Sequence, residues 1–381
     1  MIGRIWNFIK RHKKKVIVTG IAVWGGTYLF QYVRRKFREF QEIESAECLA
    51  QARRQHHFDS NQRTCNITVL SMLPKLREVV ICLLNTEECT EQLKSIPSNK
   101  LQIWEELKIL SFTRCVAIVY GCTMMCLLLR IQLNIIGGYM FLDNAAGRNG
   151  VSKELAPPEV QEKYLSLIRV FFSEGLAELI PVVKDAVVKE TGRSKAKTKY
   201  FVLHLSISLK EKLSVSNITA IVSHIRERIE NGRESTLREL PTLPLGKYML
   251  NVNKTSVQDD IESDIYTRLL YETRDVLESN DFHTVFKLCL DHGFGKLLDF
   301  IADHFKEVQK TETSVISLHE TSIPVAKLIP FISRLIYKLG SDAPNPLVQE
   351  ILVLEQTKTF AANIYEAFSH IEDPEDLQLV P

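Results

Sequence analysis

The sequence predicts an all-α protein: a single large helical bundle preceded by an amino-terminal membrane-anchor helix. Three observations carry that reading. Apolar residues recur at three- and four-residue spacing through most of the 381 residues. Few windows alternate with the two-residue period of a strand beside hairpin turns. Near the amino terminus, the eighteen residues from Val16 to Val33 carry no charge. With 45% hydrophobic residues, the rest of the chain can bury a substantial core, and one bundle is more economical than two domains.

The uncharged run is the first element. As a helix it is about 27 Å long, close to the roughly 30 Å hydrocarbon core of a bilayer. It lies between Lys10-Arg11-His12-Lys13-Lys14-Lys15 and Arg34-Arg35-Lys36, and it ends in Gln31-Tyr32-Val33 rather than in the small residues of a cleavage site. A retained signal anchor is therefore predicted. Ten of the 48 Lys and Arg lie in the first forty residues against Glu39 alone, so this segment carries +9; the remainder, with 38 basic and 45 acidic residues, carries −7. Anionic head groups attract such a cluster, whereas the acidic body lacks the footprint of a nucleic-acid binder. The division is a basic targeting segment at 1–15, a transmembrane anchor at 16–33 and a cytosolic helical domain at 34–381, with membrane lipids contacted through residues 1–38. Basic residues flank both ends of the span, so charge alone does not orient it. The eight scattered cysteines, with no C-x-x-C pair, suit a reduced cytosolic interior. Three sequons, at Asn66, Asn217 and Asn253, are a number that chance supplies in this length.

Beyond the anchor, helical periodicity runs from Arg38 to about Lys94, where Ile67, Leu70, Leu73, Leu76, Val80, Leu83 and Leu84 form one stripe and Pro74 predicts a kink or a new start. A polar turn around Ser95 to Asn99 follows, and Asn99 with Gln102 resembles a capping box. Cys115 to Leu129, fifteen uncharged residues between Arg114 and Arg130, would reach only about 22 Å; it reads as the central, all-round buried helix rather than as a second span. Gly137-Gly138 reads as the end of that helix. Pro157-Pro158 suits the first turn of a helix over Glu159 to Ala186. Further helices are predicted from Ile265, Phe282, Val325 and Leu347, and exposed connectors near 143–158, 230–262 and 306–321.

No constellation of catalytic residues accompanies these helices. Phosphate loops, H-E-x-x-H, the G-x-S-x-G elbow and EF-hand loops are all missing from the sequence. Cys122 and Cys126 face one another on a helix without histidines nearby, and His56-His57 lies in a polar run; both read as structural. The chain is read as a non-enzyme, with no metal, cofactor or catalytic site.

What stands out is the helix after Asn99. At 100° per residue, Ile103, Leu107 and Leu110 form a core-facing stripe, while Trp104 lies about 100° round from Ile103, with Leu101 and Lys108 further still. An indole and a leucine beside Lys100 and Lys108 suit a groove for an amphipathic helix whose acidic residues meet the lysines.

The residues also resemble a known family. The blocks RIWNFIKRHKKK (4–15), QARRQHHFDSNQRTCN (51–66), PSNKLQIWEELK (97–108), RIQLNIIGGY (130–139), ETRD (272–275), PVAKLIP (324–330) and FAANIYEAFS (360–369) are similar to the peroxisomal biogenesis factor 3 family, with the weakest likeness over 187–264. The resemblance implies a peroxisomal membrane protein with its bulk in the cytosol. It implies docking of a soluble chaperone and receptor, peroxisomal biogenesis factor 19, through that partner's amino-terminal amphipathic helix. The family's docking tryptophan falls on Trp104, and Leu93, Lys94, Lys100 and Lys327 are the other carried-over groove residues; Leu101 is added from helix geometry. A signal-anchored scaffold of another organelle, such as the mitochondrial outer membrane, is the alternative that the anchor alone allows.

Overall fold

A computed structural model of the chain describes residues 13–95, 98–148, 155–191, 207–230, 245–250, 261–311 and 321–370. Residues 1–12 of the basic segment and the Asn253 sequon lie outside them. The helices are α1 (Lys13–Leu83), α2 (Thr86–Lys94), α3 (Lys100–Arg148), α4 (Pro158–Leu165), α5 (Leu167–Val170), α6 (Leu176–Thr191), α7 (Val215–Glu230), α8 (Ile261–Glu278), α9 (Asn280–Thr311), α10 (Val325–Arg334), α11 (Ile336–Leu339), α12 (Pro346–Val353) and α13 (Glu355–Ser369). A π turn, Phe171–Gly175, joins α5 to α6, and two short strands, β1 (Lys212–Leu213) and β2 (Ile323–Pro324), pair antiparallel. The all-α expectation is met.

The chain divides into two compact units, residues 1–59 and residues 60–381. The first consists of the amino-terminal part of α1, on which Phe37 and Phe40 are 61% and 63% exposed. The second is built round α3. From Ser111 to Tyr139 every residue of α3 is buried, and α2, α6, α9, α10 and α13 all pack on it. A helix apolar on all sides has no solvent face, so neighbours must cover its whole circumference. Each fully buried Leu, Ile or Met contributes about 1.5–3 kcal/mol relative to an exposed one. The stretch from Lys100 to Ala145 is long and apolar enough to cross a bilayer, but its most apolar window is wholly buried inside the bundle, as predicted for a core helix. The thiols of Cys115 and Cys122 are pushed up to about 12 by burial, which keeps them neutral packing groups.

Several boundaries differ from the sequence expectation. Gly137 and Gly138 do not end α3, which continues to Arg148. They are glycines because other groups approach there: a Cβ on Gly137 would lie 2.6 Å from the Asn61 amide, and one on Gly138 would lie 2.6 Å from the Phe368 carbonyl of α13. Pro74 lies inside α1 without ending it, between the fully buried Leu73 and Leu76. The helix breaks later, where the Asn85 side chain accepts the Glu88 N–H at 3.1 Å and starts α2. The helix expected over Glu159 to Ala186 is interrupted at Ser166 and by the π turn, although Pro158 does open it. The connectors also shrink. Residues 143–148 are the end of α3, 306–311 the end of α9, and within 230–262 the turn at Leu245, Tyr248 and Met249 is buried. Asp143 explains the first: its carboxylate accepts the N–H groups of Leu155 and Ala156 at 2.8 and 3.3 Å, holding the chain close as it returns to the bundle.

The glycine contacts give opposite expectations at two sites. Gly138→Ala should destabilise by about 1–3 kcal/mol, because the new methyl meets backbone that cannot move away alone. Gly295→Ala, in α9 with nothing within 4 Å of the added carbon, should stabilise by about 0.5–1 kcal/mol. Chemical denaturation followed by circular dichroism measures both; equal effects would show that the approach of α13 does not set the requirement at Gly138.

Candidate docking site

The site forms where α3 emerges from the core. Its helix starts with the Asn99 carbonyl accepting the N–H groups of Gln102 and Ile103 at 3.0 and 3.3 Å, so Asn99 takes the cap position that the spacing indicates. Ile103, Leu107 and Leu110 are buried at 4–8% exposure, which confirms the core stripe. On the other side of the helix Leu101 is 58% exposed and Trp104 is half-buried, its ring packed against the core with an edge to solvent. Leu93, at the end of α2, is likewise half-buried against the core. Leu93, Lys94, Lys100, Leu101 and Trp104 thus sit on one helical hairpin, α2–α3.

That hairpin is fastened by a buried cation. Arg114 on α3 is fully buried; it donates from Nε and Nη2 to the Leu84 carbonyl at 3.0 and 2.6 Å and from Nη1 and Nη2 to the Glu87 carboxylate at 3.0 and 2.6 Å. A guanidinium can satisfy a carbonyl and a carboxylate at once, which a lysine cannot do with the same geometry. The hydrogen bond from Arg114 is the largest reason that the Glu87 carboxyl is held down to about 2. Arg114 marks an edge of the uncharged run in the sequence, and only the fold reveals it as the fastener of α2.

The lysines divide. Lys94 and Lys100 are exposed, Lys94 pairing with Glu91 at 2.6 Å on its own helix, a contact of small energetic weight that a ligand can displace. Lys327 is exposed on the first turn of α10, away from the hairpin in sequence but on a helix that packs directly on α3. Lys108 departs from expectation. It is 1% exposed, its ammonium donating to the Ile207 carbonyl at 2.7 Å and pairing with Glu105 at 2.7 Å. It cannot meet a ligand and does not belong with the groove cations. The helical wheel places Lys108 within 40° of Trp104, but the segment around Ile207 covers one and leaves part of the other open. No sequence signal indicates that cover.

The α2–α3 hairpin thus carries an apolar edge of Leu93, Leu101 and Trp104 with the exposed Lys94 and Lys100, and α10 adds the exposed Lys327. Such a surface binds an amphipathic helix through buried aromatic and aliphatic anchors, with cations orienting an acidic flank. Among the described residues no group of three or more His, Cys, Asp or Glu could hold a metal ion.

Comparison with known proteins places this architecture. The Peroxin-3 family model matches residues 7–100, 95–156 and 144–367. Peroxisomal biogenesis factor 3 of Homo sapiens is 48% identical over 381 residues, covering 97% of this chain and 98% of the relative; that of Mus musculus is 47% identical over 380 residues with the same coverage. Peroxisome biogenesis protein 3-1 of Arabidopsis thaliana is 25% identical over 96% of the chain. These relatives define a helical peroxisome biogenesis factor. The chain belongs to the Peroxin-3 family.

The Arg114–Glu87 pair predicts a pH dependence. A carboxyl held at about 2, below its ordinary 4.5, contributes stability that is complete above pH 4.5 and lost as pH falls toward 2. The difference in thermal midpoint between the native chain and Glu87→Gln should therefore narrow from about pH 5 to about pH 2. A constant difference across that range would remove Glu87 as the fastener of α2.

Proposed function

We propose that this peroxisome biogenesis factor is a membrane docking receptor: residues 16–33 anchor it in the peroxisomal membrane, the bulk of the chain faces the cytosol, and the α2–α3 edge with Lys327 receives the amino-terminal amphipathic helix of peroxisomal biogenesis factor 19. The partner would thereby be positioned to deliver newly made membrane proteins for insertion. The function needs no chemistry from the receptor, only a stable platform and a selective surface.

The observation that carries the reading is the exposure of Leu101 beside the half-buried Trp104 on a helix that is completely buried from Ser111 to Tyr139. An exposed Leu101 and a half-buried Trp104 on a rigid support, with Lys94 and Lys100 on the same hairpin, need little ordering on association. A cytosolic body is supported by the state of the cysteines. All eight cysteines are unpaired, six of them buried.

Trp104→Ala should weaken binding of the receptor helix by about 2–4 kcal/mol, as for a central aromatic anchor. Calorimetry with the full-length chain and a peptide of that helix measures it, and an unchanged affinity would remove Trp104 from the site. A fluorescent fusion of residues 1–40 should label peroxisomes; labelling of mitochondria instead would overturn the anchor assignment.

A further inference from the structure

We propose that the buried Lys108 and the short ladder β1–β2 form a clasp that fixes the first turn of α10, and with it Lys327, beside the amino-terminal turns of α3. The clasp rests on the docking reading above and concerns how that groove keeps its width. It runs through three successive tethers. The Lys108 ammonium donates to the Ile207 carbonyl at 2.7 Å, and Ile207 is itself 2% exposed. Two residues on, the Leu209 carbonyl accepts the Ala326 N–H at 3.1 Å, and the Glu211 carbonyl accepts the Val325 N–H at 2.9 Å. The chain then pairs Lys212 with Pro324 and Leu213 with Ile323. Lys327 follows Ala326 directly.

Those two N–H groups are among the donors that the start of any helix leaves without an internal partner. The 207–213 segment supplies their acceptors, so it caps α10 and ties it to α3 at once. Further along, the Cys115 thiol donates to the Ile332 carbonyl at 3.1 Å. From Lys108 to Cys115 and from Ala326 to Ile332 the two helices advance by about 10.5 and about 9 Å. They therefore run side by side in the same direction, and the clasp closes the end at which Lys327 and Trp104 lie.

A lysine is a poor choice for filling space. Burying an ammonium is costly unless it is paired and hydrogen-bonded, and a methionine would fill the same volume without that cost. What lysine adds is reach and donors, used here on one carbonyl of an irregular segment and on Glu105. That use marks Lys108 as a positioning residue: it sets where the cation of Lys327 stands relative to the indole, and it keeps the wall ordered before a ligand arrives.

A double-mutant cycle tests this, using the full-length chain in detergent and a labelled peptide of the soluble receptor's amino-terminal helix. Lys108→Met should lower affinity about tenfold, and Lys327→Ala, which costs severalfold in the native background, should cost almost nothing in the Lys108→Met background. Val325→Pro provides an independent variant. Proline is favoured at the first helical position, and Pro324 before it already has the extended φ of −58° and ψ of 136° that a following proline requires. This change removes the N–H that reaches Glu211 and exchanges the buried Val325 side chain for a proline ring of similar size, and it should show the same loss of coupling to Lys327 with an unchanged circular dichroism spectrum. If Lys108→Met does not fold, Val325→Pro carries the cycle alone. An equal cost of Lys327→Ala in all backgrounds, with Trp104→Ala still weakening the peptide, overturns the clasp and leaves the docking reading standing. Insensitivity to Trp104→Ala overturns both.

Discussion

The complete burial of α3 from Ser111 to Tyr139 is the constraint on which the rest of the molecule depends. Its uncharged stretch, Cys115 to Leu129, has no polar side and must be covered on its whole circumference, and that demand fixes α2, α6, α9, α10 and α13 around it. At its amino end α3 regains a solvent side, where Leu101 is open while Ile103 is sealed. The proposed docking surface sits at that transition. Its rigidity comes from the buried turns from Ser111 onward, and its accessibility from the exposure of Leu101 among the described residues.

Three buried cations on α3 each attach a different neighbour. Lys108 holds the segment at Ile207, and Arg114 holds the end of α1 and the start of α2. Arg130 reaches the amides of Gln62 and Asn66 at 2.6 and 3.0 Å. Arg114 has a carboxylate partner; Arg130 donates to two neutral oxygens, and its buried Nε has no partner among the described residues. In a low-dielectric interior the cost of an unpartnered charge exceeds the gain from a partnered one, so each cation demands its neighbour more than it stabilises the fold. The result is registry: α1, the start of α2 and the irregular segment at Ile207 are each held to α3 by hydrogen bonds from a buried cation.

Much of this was legible in the sequence, because helical periodicity and all-round hydrophobicity are local signals. The buried stripe Ile103, Leu107 and Leu110, the central role of residues 115–129 and the exposure of Leu101 could all be read from spacing. The misreadings share a cause. Gly137 and Gly138 look like a helix end, and they are contact points for residues 76 and 230 positions away in sequence. Lys108 looks like a solvated cation and is a tether, because the segment that covers it lies about a hundred residues further on. The ladder at Leu213 and Ile323 is two residues long on each side, too short to leave a periodic trace.

The same arginines that fasten α3 also bear on what happens before the fold is complete. A nascent helix this greasy is a substrate for insertion machinery, which reads hydrophobicity before tertiary structure exists. Arg114 and Arg130 confine the charge-free stretch to fifteen residues, and each would cost about 2.5–3.5 kcal/mol at the middle of a bilayer. Standing at its two ends, they hold the charge-free run to about 22 Å, shorter than the roughly 30 Å hydrocarbon core of a bilayer, while the folded bundle buries the same run completely.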